Sequence, residues 1–198
     1  ELAAQIAIYD KHIQECESGK ELSKTPIRVF IDNVGANINS EYREYGPVIT
    51  ADNATMFFTT RRPGVVGSKD YDEKDKGKNK EEPFFYEDIM VTHKDDDGNW
   101  VPATNLGDPI NTKSHEATVS LSPDGQQILY YTDINNGEIL ISNLNGESWS
   151  KPKKMPKQMS SDYHESSAAF SLDKKILYYV SNKPEDNVGK GRTDDYNN

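Results

Sequence analysis

The sequence predicts an all-β chain: a partial β-propeller of two full four-stranded blades and part of a third, preceded by one amphipathic α-helix. Three observations carry this. One pattern recurs three times without a gap, as NSEYREYGPVITADNATMFFTT from Asn39, NTKSHEATVSLSPDGQQILYYT from Asn111 and SSDYHESSAAFSLDKKILYYVS from Ser160. Each copy holds two runs of β-forming residues around a turn, most plainly at Ser122-Pro123-Asp124-Gly125, where Pro and Gly supply the dihedrals of a hairpin. Trp100 and Trp149 each stand six residues before an apolar anchor, Leu106 and Met155, in an outer-strand position.

The helix comes first. Leu2, Ile6, Tyr9, Ile13 and Cys16 share one helical face, and Ser18-Gly19 offers a stop. Cys16 on that stripe reads as a small buried residue, and a single cysteine excludes an internal disulfide framework. One helix cannot bury its face alone, so it either docks onto the following domain or belongs to an upstream helical repeat region, of which residues 1–19 would be the C-terminal helix, and the chain reads as cut from a longer precursor.

Residues 27–40 follow as a strand, Ile27 to Ile31, and an exit loop; the strand is placed to close a ring by pairing with its last blade. The first blade occupies 41–107. Its hairpin is followed by a third strand, Asp88 to Thr92, and a turn leads to the strand headed by Trp100. The charged stretch at 64–82, which contains SKDYDEKDKGKNKEE, reads as an insertion that buries little. The second blade spans 108–156, with its third strand at Glu138 to Ser142. The remainder, 157–198, reaches only a second strand, Ile176 to Ser181. Four short antiparallel strands per unit, repeated, are the pattern of propeller blades, and closed rings typically carry about four to eight of them.

Composition narrows the function. Lys+Arg number 23 against Asp+Glu 33, a net charge of -10, which repels phosphate backbones and argues against nucleic acid. No apolar run reaches the length of a membrane span.

Candidate chemistry centres on the strand entries. Glu44, Glu116 and Glu165 coincide in the three copies, preceded by Arg43, His115 and His164. A metal centre needs several converging ligands, whereas these pairs fall one per blade and Arg43 breaks the set, so no metal or other cofactor is expected. The glutamates read instead as acceptors for backbone N–H groups at the blade entry, with their neighbours facing the channel mouth. Arg61 and Arg62, with Lys183 in the matching position of the third unit, leave the second strand on loops open to a partner. His12 and His93 read as surface residues. Asp95-Asp96-Asp97-Gly98 lacks carboxylates at the first and last positions of a calcium loop, and Gly64 to Lys69 lacks the glycine spacing of a phosphate loop. Asn53-Ala54-Thr55 fits a glycosylation sequon but lies in a hairpin turn. No Gly-x-Ser-x-Gly elbow occurs, and the chain reads as non-enzymatic.

The run Glu-x-x-x-x-Leu-Ser-Pro-Asp-Gly before an aromatic strand, with Trp-Ser-x-Pro leading the outer strand, resembles the TolB-type, WD-repeat-like β-propeller family over Ile27 to Tyr196. The helix ending near Cys16, Val-Gly-x-x-Ile-Asn-Ser-Glu-Tyr and Thr-Arg-Arg-Pro-Gly are similar to the OmpA-family periplasmic proteins of Bacteroidetes. These join tetratricopeptide repeats, a propeller and a peptidoglycan-binding domain, and some serve type IX secretion. The resemblance implies a non-catalytic periplasmic adaptor at the outer membrane, whose partners are envelope or secretion-complex proteins. Peptidoglycan would be reached only through a domain outside this chain. The alternative is a carbohydrate-binding or glycan-processing propeller that uses Glu44, Glu116 and Glu165.

Overall fold

The computed structural model describes residues 2–67, 85–157, 159–160 and 163–184. The chain divides into two compact units, Glu1–Asn33 and Val34–Asn198.

The first unit holds α1, Leu2–Leu22. It passes through Gly19, because Lys20, Glu21 and Leu22 are all good helix formers, and stops where the Ser23 hydroxyl and N–H both donate to the Gly19 carbonyl. The expected stripe is exposed: Ile6 at 50%, Tyr9 at 64% and Ile13 at 55%. Cys16 is exposed as well, against the expectation of a buried thiol, since no described residue of this unit packs over that face. Ile27 to Ile31 forms no strand. A β-ladder requires a partner, and among the described residues this segment has none; Ile27 is 85% and Ile31 91% exposed.

The described residues of the second unit form three antiparallel sheets. The first contains β1 (Glu44–Ile49), β2 (Thr55–Thr60), β3 (Asp88–His93) and β4 (Thr104–Asn105), in that order. The second contains β5 (Glu116–Leu121), β6 (Gln127–Thr132), β7 (Glu138–Asn145) and β8 (Ser148–Trp149), and β9 (Lys153–Lys154) also pairs with β7. The third is the pair β10 (Glu165–Phe170) and β11 (Leu177–Ser181). The tryptophan-led outer strands are broken into short pieces, such as the isolated Lys94–Trp100 bridge ahead of β4. Among the described residues no sheet closes on itself.

Each sheet opens with a hairpin of one construction. Asp52, Asp124 and Asp173 accept a hydroxyl from Thr50, Ser122 and Ser171 at 2.6, 2.5 and 2.7 Å, and each also accepts a backbone N–H two residues on. The residue after each aspartate has positive φ: 60° at Asn53, 69° at Gly125 and 59° at Lys174. Asparagine takes that conformation at modest cost and glycine at none, while lysine is held there against its preference.

Strand alternation then separates the core into layers. Phe57, Ile89 and Val91 of the first sheet meet Ile128, Tyr130 and Trp149 of the second, with Ile110 buried between them. Leu129, Ile139 and Ile141, on the opposite face of the second sheet, meet Ala168, Leu177 and Tyr179 of the third, with Met159 between. Met56, Phe58 and Met90, on the far face of the first sheet, lie under Ile38, Trp100 and Ala103. Each fully buried side chain of this size contributes roughly 1.5–3 kcal/mol relative to exposure.

Of the charged insertion at 64–82, residues 68–82 lie outside the described residues. Its leading end does bury an apolar group, because Val65 is 4% exposed and the adjacent Val66 N–H is anchored on Asp88 Oδ2 at 2.7 Å.

Candidate functional site

Glu44, Glu116 and Glu165 begin β1, β5 and β10, and each is paired in register with a hydroxyl residue that ends the neighbouring strand: Thr60, Thr132 and Ser181. Glu116 is 1% exposed, and its Oε2 accepts the Thr112 N–H at 2.9 Å while Oε1 accepts the Thr112 hydroxyl. Glu44 repeats this with Ser40, whose N–H lies at 3.1 Å and hydroxyl at 2.6 Å, and adds the Thr60 hydroxyl at 3.2 Å. Glu165, 2% exposed, accepts the Ser181 hydroxyl at 3.3 Å. The Glu44 and Glu116 carboxylates thus each close a short loop by satisfying a backbone donor four residues upstream, in the manner of an N-cap. Burial pushes the Glu116 carboxyl up; the Thr112 bonds act against this, and the nearby Asp88 and Asp133 add to it.

Arg43, His115 and His164 precede the glutamates. Arg43 is exposed, and its carbonyl accepts the Arg61 N–H at 3.1 Å. The His115 ring stacks edge-on against Tyr86, centroids 5.1 Å apart, and its backbone N–H donates to Asp133 at 3.3 Å. His164 is exposed, packs edge-on against Tyr131 at 5.7 Å, and donates its N–H to Asn182 at 2.9 Å.

The three cations read as loop groups divide in the structure. Arg62 turns inward: Nε donates to the Thr60 hydroxyl at 2.9 Å, Nη2 to the Ile38 carbonyl at 3.1 Å, Glu44 lies 3.6 Å away, and the guanidinium rests over the Phe58 ring. It holds the loop that carries Ile38 onto the sheet. Arg61 faces the rim, with Nε 3.4 Å from the Phe85 carbonyl and 3.8 Å from Glu87 Oε1. Lys183 is partly buried at the matching exit, its N–H donating to the Ser181 hydroxyl at 3.2 Å.

Between the first two sheets, Arg61 and His115 converge on Glu87 and Tyr45, neither of which the sequence singled out. Glu87 Oε2 is 3.3 Å from His115 Nδ1, and the Tyr45 hydroxyl bonds the Glu87 carboxylate. Burial works to raise the Glu87 carboxyl, but hydrogen bonds from His115 and Tyr45 and the charges of His115 and Arg61 outweigh it, leaving it below the usual range. Burial, then Glu87, pushes the Tyr45 hydroxyl well above its ordinary range. The one available signal was the aromatic run Phe84-Phe85-Tyr86, one proline beyond the charged insertion. In the second sheet the place of Glu87 is taken by Gly137, as the registers Thr60↔Asp88 and Thr132↔Glu138 establish. A Cβ there would lie 2.6 Å from both His164 Nδ1 and the Tyr131 hydroxyl.

These groups form a rim of charge and aromatic rings across the strand entries. Among the described residues no group of three His, Cys, Asp or Glu side chains is placed to hold a metal ion. Glu44 and Glu116 are engaged by their own loops, which leaves them poorly disposed for proton transfer to a substrate. In comparisons with known proteins, the chain matches no family model, no curated protein and no solved structure. No helix among the described residues is long and apolar enough to cross a membrane.

Proposed function

We propose that the chain is part of a β-propeller that acts as a non-catalytic scaffold, presenting its strand-entry rim to protein partners. The observation that carries this reading is the matched stacking of the sheets. Phe57 of the first sheet and Leu129 of the second hold the same place in their strands and both face the next sheet, which is how successive blades pack. On this reading the three sheets are two blades and the inner half of a third, of the TolB-type kind that the sequence resembles. The binding rim consists of Arg43, Arg61, His115, His164 and Lys183, while Glu44, Glu116 and Glu165 shape the loops that present them. The setting proposed is the periplasm at the outer membrane of a bacterium, in an envelope complex of the type IX secretion kind. Glu44 and Glu116, committed to backbone donors, favour this over glycan processing.

The test is capture of partners from envelope extracts by the full-length protein and by an Arg43→Ser/Arg61→Ser variant. The scaffold reading predicts specific partners lost in the variant and retained by a Lys175→Ser control on the opposite, turn end. A partner list unchanged by the rim variant would refute the rim. Turnover of a glycan substrate, lost in Glu116→Gln with folding intact, would refute the non-catalytic reading.

A further inference from the structure

One nitrogen at the first joint faces two partners that it cannot serve together. His115 Nδ1 lies 3.3 Å from the backbone nitrogen of Glu87, whose N–H is directed at it, and 3.3 Å from Oε2 of the same residue. A ring nitrogen either accepts through its lone pair or carries a proton there. Unprotonated Nδ1 accepts the Glu87 N–H, whereas protonated Nδ1 gives up that bond and donates to the carboxylate.

The groups around this choice come from both sheets. The Tyr45 hydroxyl of β1 bonds the Glu87 carboxylate, Arg61 at the end of β2 stands 3.8 Å from Oε1, and Tyr86 packs edge-on against the imidazole. Asp133, after β6, accepts the His115 backbone N–H, and Tyr131 feels the charge of Glu87. Asp88 and Glu116, the neighbours in sequence of Glu87 and His115, are buried, and Lys113 lies on the same entry loop as His115. The side chains of His115 and Glu87 are each 19% exposed and that of Arg61 23%, so salt screens their charges weakly. At the second joint Gly137 holds the place of Glu87 and offers His164 no such carboxylate.

We propose that His115 gates the rim: its protonation draws the Glu87 carboxylate from Arg61 to the imidazolium, and Arg61, with Arg43, then takes the carboxylates of an acidic peptide segment of the partner. The proposal rests on the rim reading above and adds its partner chemistry and its regulation. The Arg61 N–H is bonded to the Arg43 carbonyl, so the two guanidinium groups leave adjacent strands side by side, and paired guanidinium groups suit carboxylates. Acidic segments bind more tightly as pH falls from about 8 to about 5.5, where an imidazole gains its proton while a peptide's carboxylates stay ionised.

NMR of the full chain across that interval follows the His115 ring nitrogens and the Glu87 amide proton, and binding of octaglutamate is measured at both ends, with octaglutamine as the uncharged control. As His115 protonates, the Glu87 amide is expected to move upfield and exchange faster. Octaglutamate is expected to bind about threefold tighter at the acid end, the scale of one partly exposed ion pair. His115→Asn places an amide oxygen near Nδ1 that accepts the Glu87 N–H and takes no proton, so its amide signal stays in place and the tightening is reduced. Glu87→Gln relieves Arg61 at every pH and is expected to bind octaglutamate at the alkaline end as wild type does at the acid end. His93→Asn, at the turn end, changes neither readout. A wild-type Glu87 amide that ignores the titration overturns the proposal, and so does tightening that is undiminished in His115→Asn or octaglutamate bound no better than octaglutamine. Partner capture tests the rim by itself. An acidic probe that fails while capture still depends on Arg43 and Arg61 refutes the gate and leaves the scaffold reading standing.

Discussion

Lys174, at the hairpin turn of the third sheet, reaches back to Asp124 at the turn of the second, with Nζ 2.7 Å from Oδ2. The hydrogen bond from Lys174, followed by those from Ser122 and the Gln126 N–H, holds the Asp124 carboxyl well below the usual range. A depressed carboxyl contributes stability that is present above its unfolded pKa and lost as pH falls through the folded one, so this tie weakens on the acid side. The same lysine has φ of 59°, which sets a backbone cost against the contact between sheets.

Lys174→Gly separates the two. Glycine relieves the left-handed backbone by about 1 kcal/mol and removes the ion pair. In urea titrations the variant is expected to exceed wild type at high salt, where the pair is screened, and to lose that margin at low salt. A margin independent of salt would show that the pair contributes nothing.

Gly46→Ala is expected to destabilise by about 2 kcal/mol or more. Gly46 has φ of 60°, and an added Cβ would lie 2.8 Å from Thr118 Oγ1, the hydroxyl that donates to the Gly46 carbonyl and ties β1 to β5. The midpoint of urea unfolding checks this, and Thr118→Ala in the same background is expected to recover part of the loss by removing the clash.

Ile110→Ala is expected to cost about 2–5 kcal/mol, the range for a large aliphatic side chain cut back in a close-packed core. Ile110 is 0% exposed between the first two sheets, whereas Leu172, at 92%, is the control whose change to Ala is expected to leave the melting temperature in place. Equal effects would mean that the entry-loop residue does not wedge the joint.

Asp88→Asn addresses pH. Asp88 is 0% exposed, and burial raises its carboxyl despite the Val66 N–H and Asn105 that hydrogen-bond to it. A carboxyl raised in the folded state contributes stability present below its unfolded pKa, near 3.8, and lost as pH rises through the folded one. The variant lacks that loss, so its stability relative to wild type is expected to improve as pH rises from about 4 towards neutral. A constant difference across that range would assign the Asp88 proton no role.

The repeat was legible because the hairpin is specified locally. Asp52, Asp124 and Asp173 each make their turn with a hydroxyl two residues back, and the glutamates follow a loop of fixed length. Arg62 was read as a loop cation because sequence shows what leaves a strand and not where it turns; only the Ile38 carbonyl and the Phe58 ring explain its course. Glu87 and Tyr45 were overlooked because their partners, Arg61 and His115, come from different sheets. Ile27 to Ile31 has strand composition, yet a strand is a property of two segments, and composition reports on one.

Gly137 gives the array a sense of order. Units this alike could dock out of sequence while folding, a familiar failure of repeated modules. At the first joint the position beside the histidine is filled by Glu87, and at the second it is left vacant for His164 and Tyr131. A side chain at one address and a notch at the other make the two joints non-interchangeable, so each sheet recognises its proper neighbour.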